Sequence, residues 1–457
     1  MANTTARGVL RRDLGRLEAY ATIVGALVGS GIFVVTAESG ATAGPGVILA
    51  YLILGPIILS TTMAYSVYLS TPLGDHPGGA YLHMSRTHGF FFLGYILGWL
   101  KWVAFIGALS VLSLSLAQYV TAFFPSLPTV PVAIATVVFF YLVNLVGVKY
   151  YGRVQTAMFV LLIVAILLLL LPGFFAVEPA NLQPFLPFGT SGVVAVLVPL
   201  FFSFAGFESL AQTAGETREA RTTLPRVFAL GALAAMLIYV LISLVMFGVV
   251  PYGELSASQA PITLVASQYL PVGVSVVVTV GAIMAFTTTI NSALMVPPRL
   301  LYVMAEDRVI PRFIAHVNGR FRTPDVAMTI STAVAVFLLS TQTLSFMLDV
   351  ALQALFLMYG IHSLSLAALP FVRPTLFRQA RVRPPVWLVV AVGLFSAGWM
   401  AYFTYLTLPS VAGLLGIWVG VGVVLFVIAR VTGRREGFDY RRRLVEEWAD
   451  DEPKTSW

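Results

Sequence analysis

The chain has 457 residues, 58% of them hydrophobic and only 10% charged, with 27 Lys and Arg against 20 Asp and Glu for a net charge of +7. A water-soluble domain carries about a quarter charged residues; here most of the surface must face lipid or other apolar helices, and the charges sit in short clusters between apolar runs, which excludes a nucleic-acid-binding domain. Without cysteine there is no disulfide framework and no thiolate metal site.

Residues 1–17 are polar and hold Arg7, Arg11, Arg12 and Arg16, with no apolar stretch ending in a cleavage site, so the first helix is expected to stay in the mature protein. Apolar runs of about 20 residues, enough to cross a bilayer, follow at 18–38, 45–71, 90–123, 131–148, 153–175, 192–214, 226–250, 272–304, 325–340, 343–370, 386–408 and 410–432. They predict an all-α polytopic membrane protein with twelve transmembrane helices. The third and eighth runs exceed one crossing and are expected to tilt or to end in an interfacial turn. Only Ser340 to Thr343 marks the turn between the ninth and tenth. The tail, 433–457, is expected to begin with an interfacial helix carrying Trp448.

Every Lys and Arg except Lys101 falls at the N-terminus, in alternate loops or in the tail, whereas the opposite loops hold Glu38, Glu178 and Glu254 and no base. By the positive-inside rule both termini are cytoplasmic in a multi-pass protein of the plasma (inner) membrane. Lys101, in Gly98-Trp99-Leu100-Lys101-Trp102, has two readings. It is a lysine snorkelling to the interface between two tryptophans, or a cation inside the bundle near a transport path.

Two runs are interrupted at mid-membrane. The first reads Val24-Gly25-Ala26-Leu27-Val28-Gly29-Ser30-Gly31-Ile32-Phe33, and the sixth reads Phe202-Ser203-Phe204-Ala205-Gly206-Phe207-Glu208. The breaks fall at matching depths in two halves, 18–175 and 192–370, the sequence pattern of inverted-repeat carriers. Freed backbone groups are tolerated in a membrane only where they line a cavity. N–H groups near Ser30 and Gly31, at the positive end of a half-helix, suit a carboxylate, while carbonyls near Ala26 and from Phe202 to Ala205 suit an ammonium. A zwitterionic amino acid satisfies both. The expected cradle is Ala26, Gly29, Ser30, Gly31 and Ile32 with Phe202, Ser203, Phe204, Ala205, Gly206 and Phe207, and Ala293 beside it. The competing reading is small-residue packing, since Gly25 and Gly29 have the Gly-x-x-x-Gly spacing.

Gly29-Ser30-Gly31-Ile32-Phe33, Pro77-Gly78-Gly79-Ala80-Tyr81, Phe204-Ala205-Gly206-Phe207-Glu208, Gly215-Glu216-Thr217, and Arg299 with Ala305-Glu306-Asp307-Arg308-Val309-Ile310-Pro311 stand in order along the chain. Together they resemble the amino acid–polyamine–organocation transporter superfamily, of the amino acid permease type. The resemblance implies a five-plus-five inverted repeat of the leucine-transporter-like fold, with discontinuous helices one and six and two further helices, 386–432, outside the core. It also implies a site between helices one, three, six and eight, closed by an aromatic, here Phe202 or Phe207, and secondary transport by alternating access. Two departures stand out: residues 47–74 hold no Asp or Glu, and Leu162 occupies the mid-helix-five position where some proton-coupled relatives have lysine. No cofactor is expected, and the coupling ion is a proton or sodium. Thr287-Thr288-Thr289, of which Thr288 and Thr289 are the favoured pair, would hold sodium with carbonyls of Gly25 and Val28, or would simply bond to their own helix.

Glu208 reads as a proton-sensing acid, as the partner of a cationic substrate, or as a brace for the broken helix. Asp349 and His362 read as helix–helix hydrogen-bond partners, and Pro77-Gly78-Gly79 as an inner loop gating exit or an ordinary turn. The expected function is therefore transport of a neutral amino acid, as symporter or exchanger; the alternative is a polyamine or cationic amino acid carrier, which would need several acids where only Glu208 is evident. An intramembrane enzyme is the remote alternative. It needs clustered His, Asp or Glu, and His76, His83, His88, His316 and His362 show no pairing at helical spacing. The partners expected are a small amino acid or amine and the lipid bilayer, with no nucleic acid and an oligomeric state that the sequence leaves open.

Overall fold

A backbone immersed in lipid must satisfy its own N–H and C=O groups, so the apolar runs fold as helices, and among the described residues there is no strand. The computed structural model describes residues 12–29, 35–258, 260–341 and 344–446. In chain order the helices are α1 (Arg16–Leu27), α2 (Thr36–Ala43), α3 (Val47–Ser70), α4 (Gly79–His88), α5 (Phe91–Phe123), α6 (Thr129–Leu145), α7 (Val148–Gly173), α8 (Gly189–Phe204), α9 (Ser209–Gln212), α10 (Ala220–Val249), α11 (Tyr252–Ala257), α12 (Pro261–Tyr269), α13 (Val272–Glu306), α14 (Asp325–Thr341), α15 (Leu344–Val372), α16 (Pro374–Arg378), α17 (Val386–Arg435) and α18 (Tyr440–Glu446). Eight segments, with α2–α3 and α8–α9 each taken as one, are long and apolar enough to cross a membrane; α6 and α14 are shorter apolar helices.

The first run divides into α1 and α2 and the sixth into α8 and α9, where the small residues cluster. The long third and eighth runs do not turn. α5 continues for 33 residues and α13 for 35, the latter straight through Pro297 and Pro298. Four short helices, α4, α11, α12 and α16, lie in stretches that apolar length alone leaves as loops. The tail holds one short helix among the described residues, α18; Trp448 lies outside them.

Runs 386–408 and 410–432, expected as two helices, are hydrogen-bonded as one, α17, of 50 residues. Straight, it would measure about 75 Å, yet both of its ends lie at one face. Arg381 ahead of it donates its N–H to Ser70 O (3.2 Å), and Tyr440 beyond it donates to Arg308 O (3.1 Å). Its first part pairs with α15, Ser396 with Ser363 at 2.9 Å and Thr407 with Gln353 at 2.5 Å. Its second part pairs with α5, where Trp418 O accepts from Trp99 Nε1 (2.9 Å) and Gly422 O from Tyr95 (2.8 Å). The helix thus rises and returns, and Pro409, which lacks an N–H, sits where it must bend.

The basic loops gather at that same face. Arg12 donates to Asp75 O (3.1 Å), the Arg218 N–H to Leu14 O (2.9 Å) and Arg373 to Thr87 O (3.1 Å).

Candidate functional site

The two breaks face each other across one tyrosine. α1 stops at Leu27, and Val28 returns its N–H to Val24 O (2.6 Å). α8 stops at Phe204; Ala205 is extended, and Gly206 follows at φ +104, a conformation that costs a side chain about 1–2 kcal/mol. The freed carbonyls are then claimed from within. Tyr239 of α10 directs its hydroxyl at Leu27 O and at Ser203 O (2.5 Å), while stacking on Tyr51 at 4.9 Å. Two carbonyls sharing one donor explain how buried irregular backbone is tolerated here. Tyr239→Phe leaves both short of a partner and is expected to cost about 1–3 kcal/mol, read as a lower melting temperature in detergent; an unchanged value would show that the hydroxyl braces neither break.

Between the breaks lies a small chamber of about 30 Å³, lined among others by Ala26, Gly29, Phe202, Ser203, Ala205, Gly206, Thr289 and Ala293, all singled out by sequence. Ala104, Phe105, Ala108 and Leu112 of α5, Ser292 and Leu355 complete it; their signal, small or apolar residues on one stripe of a helix, is common to any packed core. Phe204 and Phe207 do not line it. Phe204 packs on Tyr239 and Tyr51, and Phe207 lies stacked on Tyr359 at 5.3 Å. Ser30, Gly31 and Ile32 lie outside the described residues. The expected acceptors for an ammonium are also reduced, since Phe202 O takes the Ala205 N–H (3.0 Å) and Ser203 O takes Tyr239.

On the face opposite the basic loops a vestibule of about 630 Å³ is bordered by Glu38, Gln118, Tyr119 and Ser258. Phe202 and Leu112 border both spaces, so Phe202 is the aromatic placed between them.

Gly25 and Gly29 pack as small residues as well as preceding the break. A Cβ on Gly29 would fall on the Thr289 hydroxyl, and one on Gly25 would lie 2.8 Å from Gln155 Nε2. Three of the four expected cation ligands, Gly25 O, Thr288 and Thr289, meet there, but hydroxyl protons already join them. Thr288 and Thr289 each bond both to Gly25 O (3.0 and 3.2 Å) and to Ala285 O of their own helix (2.9 and 3.0 Å). Leu162, at the middle of α7, is buried and apolar. Two turns earlier Gln155 reaches Ala21 O (3.2 Å), Thr288 O (3.3 Å) and Ser292 (3.1 Å), and its amide oxygen accepts from Asn291 (2.8 Å). Sequence reasoning missed this amide lock, because a single glutamine in an apolar helix carries no pattern.

The path from the chamber to the basic face is shut by ion pairs built from the remaining motifs. Arg299 holds both oxygens of Glu216 along one guanidinium edge, through Nε and Nη2 (Nη2 to Oε1 3.0 Å), and both residues are fully buried. Arg86 holds both oxygens of Asp307 at 2.9 Å, Tyr81 adds a hydroxyl at 2.6 Å, and Arg443 of α18 a second cation at 2.9 Å. Leu14 crosses beneath, bonding to Glu216 O (3.0 Å). Pro77 packs against Gly215, so the inner-loop motif belongs to this closure.

Two expectations are corrected. Lys101 does not snorkel: it is fully buried, its ammonium 5.8 Å from the Tyr65 ring and 5.4 Å from the Phe105 ring, because α4 and the returning half of α17 cover that end of α5. The histidines do pair: His83 Nδ1 lies 3.0 Å from His362 Nε2, on helices 279 residues apart in sequence, a contact that helical spacing cannot reveal. Glu208 is fully buried and accepts from Tyr359, just below the chamber rather than on it. Asp349 is exposed. Among the described residues no group of three or more His, Cys, Asp or Glu could hold a metal ion.

An uncharged chamber between two interrupted helices, with a vestibule beyond Phe202 on one side and buried ion pairs on the other, defines a polytopic helical transport protein. The sequence model described as amino acid permease matches residues 14–429, and the chain belongs to that family, within the amino acid–polyamine–organocation superfamily. It is similar to a branched-chain amino acid permease of Bacillus subtilis (strain 168), 28% identical over 72% of this chain and 74% of that one. A methylthioribose transporter of the same strain is 27% identical over 92% and 93%. A chloroplastic cationic amino acid transporter of Arabidopsis thaliana is 29% identical over 69% of this chain and 59% of its own length.

Proposed function

We propose that the chain is a secondary active transporter that carries a neutral amino acid across the plasma membrane by alternating access, as symporter or exchanger. In this reading twelve crossings, 18–175 and 192–370 forming an inverted repeat, place both termini in the cytoplasm. The substrate carboxylate rests on N–H groups near Ser30 and Gly31, Phe202 closes over it, and the Arg299–Glu216 and Arg86–Asp307 pairs open when the chamber turns inward.

The observation that carries it is the chamber wall. Its described lining holds no charged side chain, only small or apolar residues and the hydroxyls of Ser203, Thr289 and Ser292. A cationic side chain desolvated there would have no counter-charge. The relative named for branched-chain amino acids agrees with such a wall; the one named for cationic amino acids does not.

In proteoliposomes the full chain is expected to take up radiolabelled leucine, with isoleucine competing and equimolar arginine or putrescine not. Stronger competition by arginine or putrescine would replace the neutral substrate with a cationic one. Gly31→Val is expected to abolish uptake while the protein elutes as wild type; unchanged uptake would remove Gly31 from the site.

A further inference from the structure

Beneath the chamber lies a buried cluster of ionisable side chains that the proposed substrate cradle does not use. Lys101 sits one turn below Phe105 on the chamber-facing stripe of α5, within electrostatic reach of Glu208. Tyr65 lies between: its ring is 5.8 Å from the Lys101 ammonium and 4.3 Å from the ring of His362. His362 Nε2 is 3.0 Å from His83 Nδ1, and His83 stacks on Tyr68 at 4.7 Å. The Tyr68 hydroxyl meets Ser365 (2.6 Å), which meets Nε2 of His88 (2.9 Å), the half-buried last residue of α4 at the basic face.

Packing does not account for this cluster. Lys101 Nζ, Glu208 Oε1, Tyr65 Oη, His83 Nε2 and His362 Nδ1 are all buried without a hydrogen-bond partner among the described residues. Buried polar groups left in that condition are costly, and apolar residues of the same volume would be more stable. The side chains also stand in series from the basic face to the underside of the chamber, hydrogen-bonded from His88 through Ser365 to Tyr68 and between His83 and His362, and in ring contact between Tyr68 and His83 and between His362 and Tyr65.

We propose that His83 and His362 are a proton-transfer pair, linking His88 at the basic face to Lys101 and Glu208 beneath the chamber, and that they couple transport to a proton gradient. This rests on the transport reading above. Each neutral ring has one N–H and one bare nitrogen. When a proton binds the bare outer nitrogen of one ring, the proton shared between Nδ1 and Nε2 crosses to the second ring, whose outer N–H then releases its own. One proton enters, one leaves, and reorientation of the rings restores the start. The titratable and charged groups around the pair are Tyr65 and Tyr68 from α3, His88 from α4, Lys101 from α5, Glu208 from the break, Tyr359 from α15 and Arg373 just past its end. The neighbouring side chains of α10 and α17 are Phe228, against Tyr65, and Ser396, bonded to Ser363 beside His362.

The test uses the full chain in liposomes with radiolabelled leucine and an internal pH dye. A gradient of about one pH unit, alkaline inside, is expected to concentrate leucine up to about tenfold for one proton per substrate, with leucine-dependent internal acidification. In His83→Gln and His362→Gln the accumulation should fall to near unity while leucine counterflow, which needs no net proton movement, persists. Wild-type counterflow with no response to the pH gradient overturns the relay and leaves neutral amino acid transport standing, as do histidine variants that accumulate like wild type. Absence of counterflow by the wild type with any neutral amino acid overturns the transport reading itself, and the relay with it. Should the glutamine variants fail to fold, Tyr68→Phe breaks the link to Ser365 and keeps the ring. Proton-driven uptake should then drop several-fold with counterflow intact, and an undiminished rate overturns the proposal.

Discussion

Glu216→Gln is expected to destabilise the protein by about 3–5 kcal/mol. Arg299 is fully buried and spends its guanidinium on Glu216 and on Met295 O (3.0 Å), so a neutral amide would leave a desolvated cation without its counter-charge. The pair joins α13 to the segment after α9 at the closed end of the chamber, so its loss should also open that end. Both effects are measurable: a lowered melting temperature in detergent, and faster labelling from the basic face of a cysteine placed at Ser292. The natural sequence has no cysteine, so a single introduced thiol reports without background. The double variant Glu216→Gln with Arg299→Met removes charge and counter-charge together and should recover most of the stability, since an apolar pair avoids the desolvation cost. A double variant as unstable as Glu216→Gln alone would show that the two residues act independently.

Gly29→Val should eliminate uptake. α1 and α13 approach so closely that even a methyl group at residue 29 would occupy the position of the Thr289 hydroxyl, which in turn is held to Gly25 O and Ala285 O. A branched side chain must push the helices apart or fill the chamber, of which Gly29 is a wall. Overpacking of this kind costs about 1–3 kcal/mol, enough to displace backbone groups by the fraction of an ångström that a hydrogen-bonded substrate senses. Thr289→Ala in the same chain vacates part of the space and should restore measurable uptake to Gly29→Val. If Gly29→Val transports at the wild-type rate, the close approach of the two helices is not part of the site.

Much of this was legible because it is one-dimensional. Apolar length, set by bilayer thickness, marked the helices; loop charge grouped the basic residues that the structure gathers on one face; clustered small residues marked both breaks. The chamber residues Ala26, Gly29, Phe202, Ser203, Ala205 and Gly206 came from those breaks alone. Phe202 and Phe207 could not be ranked from sequence, since five residues apart on an interrupted helix they point in directions that only the turn at Gly206 sets. The reversal of α17 near Pro409 was hidden for the same reason, as a proline marks a bend and not its extent.

By itself, then, the sequence determined that this is a lipid-embedded helical protein with two interrupted crossings, because hydrophobic length and backbone satisfaction are local demands. Only the tertiary structure decided what meets across the bundle. Tyr239 serves both breaks, Gln155 ties α7 to α1 and α13, Lys101 is buried rather than snorkelling, and His83 meets His362. Each depends on which faces of distant helices touch, and a side chain of one helix carries no local mark of its partner on another.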